Sequence, residues 1–161
     1  MAKNRNGSRA RRLQSSFELL ITLSLGLAIL LPIAAIAFVQ LSASSTSLSS
    51  IESQQAASKL ANAATLIGSQ GAPAKQLVQI SVPPNVKSIY VGNMNNTVGH
   101  EIIFVVSTAS GSSYVTSYTP VNVSGSIGSL ASAGTYLINI TAQSACPTNT
   151  LLSCVYLSSK P

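Results

Sequence analysis

Leu19 to Leu41 reads LLITLSLGLAILLPIAAIAFVQL, a run of apolar residues without one charge. As a helix rising about 1.5 Å per residue it reaches roughly 34 Å, enough to cross the hydrocarbon core of a bilayer. A buried core helix is the competing reading, but a chain of 161 residues has no interior able to cover such a helix on every side. Pro32 removes one backbone donor and is expected to bend the helix over Ala28 to Pro32, a defect that membrane helices tolerate. Five of the nine basic residues (Lys3, Arg5, Arg9, Arg11 and Arg12) precede the run, and the next, Lys59, lies well beyond it. That asymmetry predicts a cytoplasmic N-terminus and an extracytoplasmic location for everything after Leu41. A cleaved secretory signal is an alternative, with Ala34-Ala35-Ile36-Ala37 or Leu41-Ser42-Ala43 as its cleavage site, and it would release a free domain.

The formal net charge of +6 belongs to the tail. From Gln14 onward only Lys59, Lys75, Lys87 and Lys160 oppose Glu18, Glu52 and Glu101, a net of +1. Nucleic-acid binding needs a clustered basic stripe with aromatic or Arg partners, and the part beyond the apolar run has no Arg and no Trp. Charged residues are 7% of the chain while apolar ones are 46%, so the outer part is expected to fold and to stay soluble through neutral polar groups.

The junction before the apolar run reads Arg11-Arg12-Leu13-Gln14-Ser15-Ser16-Phe17-Glu18-Leu19-Leu20. Taken alone, Glu18 is an interfacial carboxylate loosely paired with Arg11 or Arg12, worth about 0–1 kcal/mol. Two basic residues, a Gln-x-Ser-x-Glu box and a long apolar helix together resemble the class III signal peptide of archaeal type IV pilin-like proteins. The resemblance covers Arg11 to Leu41 and is only architectural beyond. It implies a membrane prepilin-peptidase-like protease cutting between Leu13 and Gln14, so that Gln14 becomes the first mature residue and Glu18 the fifth. It also implies that Glu18 neutralises the terminal amine of a neighbouring copy as the helices stack, which sets axial register because both charges would be costly alone in an apolar core. Leu13 stands where the family usually carries Gly or Ala. A chain that kept its tail would instead be a single-pass, membrane-anchored surface binding module that does not polymerise.

Four segments follow: a basic leader over residues 1–13, a transmembrane helix over 14–41, a serine-rich stalk or helix extension over 42–71, and a β-domain over 72–161. Residues 42–50 read equally as helix or hinge. At about 100° per residue, Leu41, Leu48, Ala56, Leu60, Ala63, Leu66 and Ile67 share one face, so the helix is expected to continue to Ile67 before Gly68, Gly71 and Pro73 end it. Strands are predicted over Gln76 to Val82, Val86 to Val91, Glu101 to Ser107, Tyr114 to Thr119, Val121 to Val123, Thr135 to Ile140 and Leu152 to Leu157. Turns separate them at Pro83-Pro84-Asn85, at Gly92-Asn93-Met94-Asn95-Asn96, at Ser110-Gly111-Ser112 and at Ala133-Gly134. With no crossover helix between strands, the expected fold is α+β: a pilin-like N-terminal helix followed by a small antiparallel β-sandwich, Ig-like or pilin-like.

Cys146 and Cys154 bracket a turn-rich stretch on the side assigned to the exterior, and a disulfide between them would close a short loop and contribute about 2.5 kcal/mol. Two free cysteines are the alternative. Beyond the apolar run three N-x-[ST] triplets begin at Asn95, Asn122 and Asn139 and are candidate N-glycosylation sites, the latter two on the outward alternation of their strands; Asn6-Gly7-Ser8 also matches but lies on the side assigned to the cytoplasm. With one His, three separated Glu and no Asp, neither a carboxylate pair, a Ser-His-Asp triad nor a metal cage can be assembled, so no enzyme activity, metal or cofactor is expected. His100 beside Glu101 reads as a solvated turn pair.

Overall fold

The computed structural model describes residues 6–95, 97–108 and 111–159, with the backbone alone for residues 6–16. One α-helix, α1 (Asn6–Gln70), precedes six strands: β1 (Lys75–Val82), β2 (Val86–Gly92), β3 (Gly99–Thr108), β4 (Gly111–Ser126), β5 (Gly134–Gln143) and β6 (Cys154–Ser159). The chain divides into two compact units, Met1–Ala43 and Ser44–Pro161.

The first unit is helical throughout its described residues. Its hydroxyls are turned inward to the backbone: Thr22 Oγ1 donates to the Leu19 carbonyl at 3.0 Å and Ser24 Oγ to that of Ile21 at 2.9 Å. Polar atoms satisfied in this way leave an apolar surface at every angle around the axis. Leu19, Leu23, Leu27, Leu31, Ile36 and Phe38 are all exposed in the isolated chain. The helix is long and apolar enough to cross a membrane, which fits an anchor.

The second unit contains the end of α1 and a single six-stranded sheet, ordered β1-β5-β6-β4-β3-β2. Residues 42–50 are helical, and Ser49 Oγ donates to the Ser45 carbonyl at 3.1 Å. Ala56, Ala57, Leu60, Ala61, Ala64 and Ile67 of α1 are buried in one core with Ile80, Ile89, Phe104, Ile138, Ile140 and Leu157 of the sheet. The helix supplies small side chains and the sheet large ones, so the axis comes close to the strands and the layers interdigitate.

That packing corrects the helical face expected from hydrophobicity. Leu41, Leu48 and Leu66 are exposed, Leu48 by 61%, while Ser49, Ser53, Ala57, Ala61 and Ala64 join Ala56, Leu60 and Ile67 inside. Hydropathy alone weights leucine over alanine. Close approach to a sheet reverses the preference, because a line of leucines would hold the layers apart.

The fold is α+β as expected, but there is one sheet and it is mixed. A sandwich would cover the core face with a second sheet; here α1 covers it. β5 does not return beside β4 but pairs with β1, and β6 fills the vacant position between β5 and β4. Running antiparallel to β5, β6 lies parallel to β4, with Val123 opposite Val155 and Ser126 opposite Ser158. Strand β5 thus serves as the crossover that a helix usually supplies.

The two runs predicted over residues 114–119 and 121–123 are one long strand, β4, which pairs with β3 along Gly111–Tyr118 and again at Val123, and with β6 along Val123–Ser126. Between them the register with β3 shifts, and Pro120, which has no N–H to give a ladder, sits in the shift. There the buried Thr119 hydroxyl donates to the Val121 carbonyl at 2.7 Å. Gly92 is required nearby. Its φ is +95°, and a Cβ there would stand 2.6 Å from the Val123 carbonyl oxygen.

Candidate functional site

In the first unit the chemistry lies at the start of the apolar surface. Glu18 is exposed one residue before Leu19, and no charged residue follows until Glu52. Its carbonyl accepts a 3.1 Å hydrogen bond from Thr22 Oγ1, so the helix is formed around it. The side chains of Arg11, Arg12, Leu13 and Gln14, which form the expected processing junction, lie outside the described residues.

In the second unit Cys146 and Cys154 form a disulfide with 5.5 Å between their Cα atoms. It pinches the β5–β6 connection just beyond the terminal ladder pair Gln143–Cys154. The enclosed residues wind into successive turns: Asn149 N donates to the Cys146 carbonyl at 3.2 Å, Leu152 N to that of Asn149 at 3.2 Å, and Cys146 N to that of Leu152 at 2.9 Å. Both cysteines are buried, whereas Leu151 at the tip is 91% exposed. The loop therefore holds an apolar side chain outward on a covalently closed base. One leucine among turn formers carries no periodic signal in the sequence.

The three sequon asparagines differ. Asn95 is exposed in the β2–β3 connection. Asn122 is half-buried, and its Nδ2 donates to the Ser153 carbonyl at 3.3 Å, while the hydroxyl-bearing Ser124 of the same triplet is buried with Oγ 3.4 Å from Thr148 Oγ1. Asn139 lies half-buried on β5, between two paired strands.

The sheet face away from α1 carries Tyr114 and Tyr118, the latter 68% exposed, with Ile103 and Val105 buried among the neighbouring rows. His100 is not in a turn as expected but in β3. Its Nδ1–H donates to the Thr119 carbonyl at 3.2 Å, and its ring stacks on Tyr118 with 5.9 Å between centroids. Alternation alone marks these tyrosines as strand residues without assigning them a face.

A cleft of about 450 Å³ opens beside this stack, where Gly68 and Gly71 end α1 and Asn122, Gln143 and Ser153 come from β4, β5 and the residue before β6. Two amides, two hydroxyls and one imidazole line it together with apolar residues such as Pro120, Val121, Ala142 and Val155, a mixed set that can hydrogen-bond neutral polar groups. Among the described residues no three of His, Cys, Asp or Glu converge as metal ligands. In comparisons with known proteins, no family model, no curated protein and no solved structure matches the chain.

Proposed function

We propose that this protein is a type IV pilin-like structural subunit of a cell-surface filament, held in the membrane before assembly with its N-terminus in the cytoplasm and its β-domain outside. The observation that carries this reading is the apolar surface of α1, open on all sides and preceded by Glu18. Copies packing through such helices cover that surface, and a Glu at its start pairs with a neighbour's terminal amine. Removal of the leader by a prepilin-peptidase-like protease after Leu13 supplies that amine on Gln14. Assembly, with adhesion or motility downstream, is then the function. The disulfide suits an extracellular surface.

Intact-mass measurement of the protein from native membranes, together with microscopy of sheared surface filaments, tests this. A mature start at Gln14 and incorporation into filaments support it; a full-length mass with no filament containing the protein overturns it. Glu18→Gln is expected to reduce incorporation severely while leaving the outer domain folded. Unchanged filament yield would remove the register role given to Glu18.

The 450 Å³ cleft favours a second reading, a single-pass anchored surface module that binds a ligand without polymerising. It predicts the full-length mass and no filament.

A further inference from the structure

The two edges of the sheet are built differently. At one end, β2 is broken by a bulge between Val86 and Ser88, exposes Lys87 within it, and follows Asn85 at a φ of 71°. Bulge, lysine and turn are devices that keep an edge from pairing with another chain. At the other end, β1 pairs with β5 in unbroken register from Lys75 to Val82, with its single charge at the first position. An eight-residue edge of this regularity is a ready template for another strand.

The phase of its free backbone groups follows from one bond. Ala142 N donates to the Ala74 carbonyl at 2.8 Å, so position 74 is bonded toward β5. Groups alternate along a strand; Gln76, Val78, Ile80 and Val82 therefore also turn to β5, and Leu77, Gln79 and Ser81 turn their N–H and C=O to the open edge. The side chains of Leu77, Gln79 and Ser81 are exposed on one face, while Val78, Ile80 and Val82 are buried in the core on the other.

We propose that this edge pairs with the same edge of a second copy of the chain, antiparallel about a two-fold axis through Gln79. The axis sets Gln79 opposite Gln79 of the second copy, and Leu77 opposite Ser81 of the second copy. Every residue so matched offers its backbone to the edge, and opposed side chains share a face, as antiparallel pairing requires. Charge favours a copy over an unrelated strand. A cleft of about 310 Å³ along this edge is lined by Glu52, Gln55, Ala56, Lys59, Ile80 and Ser81. Glu52 and Lys59 stand two helical turns apart, about 10 Å. A two-fold axis reverses the helix, so the carboxylate end of one cleft comes to the lysine end of the other. The contact uses the outer unit alone; because the axis reverses the helix, it joins copies held on two facing surfaces or in two filaments, and not neighbours whose N-terminal helices stack side by side.

The test uses the full chain in a large excess of detergent micelles. Gln79→Cys is treated with a short thiol–thiol cross-linker, since hydrogen-bonded opposing residues lie about 5.5 Å apart at Cα. Lys87→Cys, on the protected edge, reports random encounter. Gln79→Cys is expected to give about tenfold more covalent dimer than Lys87→Cys, as an edge template predicts. Adding Leu77→Pro removes an N–H that faces the open edge and leaves the β5 ladder intact; it should return the yield to the Lys87→Cys level with an unchanged circular dichroism spectrum. Lys59→Glu should lower the yield, and Glu52→Lys with Lys59→Glu restore it. Equal yields at Gln79→Cys and Lys87→Cys overturn the proposal, as does a Gln79→Cys dimer indifferent to both Leu77→Pro and Lys59→Glu, which would mark an association through another surface.

Discussion

Gly68 of α1 and Val121 of β4 meet without room for one further carbon: a Cβ on the glycine would stand 2.7 Å from Val121 Cγ1 and 3.1 Å from its Cβ. Two opposing effects therefore compete at this position. Alanine is the better helix former by about 1 kcal/mol. The branched valine cannot swing aside, and overpacking of this kind costs about 1–3 kcal/mol. Gly68→Ala should therefore lower the stability of the outer unit, and Val121→Ala in the same chain should recover most of the loss. A double-mutant cycle by denaturant unfolding in detergent measures the coupling. Simple additivity would mean that the helix end relaxes away from β4.

Ser53 is fully buried, and its Oγ has no hydrogen-bond partner among the described residues. An unpaired buried hydroxyl costs about 1–3 kcal/mol, and alanine both removes it and favours the helix. Ser53→Ala is expected to raise the unfolding midpoint. Phe104→Ala, in the same core, should lower stability by about 3–5 kcal/mol. Leu48→Ala and Leu66→Ala, on the exposed side of α1, should change the stability of the outer unit by less than about 0.5 kcal/mol.

Removing the disulfide by Cys146→Ala with Cys154→Ala should cost about 2–3 kcal/mol in thermal or denaturant unfolding, the loop closure being short. Amide exchange in the double variant should rise first in β6, which begins at Cys154 and meets β4 over only four residue pairs. Uniform acceleration across the sheet would show that β6 does not open separately.

If the outer domain is glycosylated in its host, peptide mapping should find Asn95 modified and Asn122 unmodified. Asn95 is exposed in a connection, whereas Asn122 is tied to the Ser153 carbonyl and its Ser124 is buried. Occupancy of Asn122 would require modification before β6 joins the sheet.

Much of the fold was legible because it is written in neighbouring residues. The charge-free run from Leu19 requires a helix with an apolar surface, and two-residue alternation marked β1, β2, β3 and β5 to within three residues at their ends. The turn at Pro83-Pro84-Asn85 and the bracket of Cys146 and Cys154 were equally local. The start of β6 was placed two residues early, because Leu152 continues the apolar pattern but belongs to the pinched loop.

Other features depend on partners far along the chain. Alternation shows that a strand has one face to bury but not what covers it, so the seven predicted runs read as a sandwich when α1 does the covering. Hydropathy found only part of the covering face: Ala56, Leu60 and Ile67 are buried, but Ala57, Ala61, Ala64 and two serines also pack there by their small size while Leu48 and Leu66 remain outside. The insertion of β6 between β5 and β4, the stack of His100 on Tyr118 and the open edge of β1 follow from that arrangement. By itself the sequence determined which segments are helix and strand and that one helix suits a bilayer. Only the tertiary structure decided which faces meet, since that choice is made by shape and close packing between residues distant in the chain.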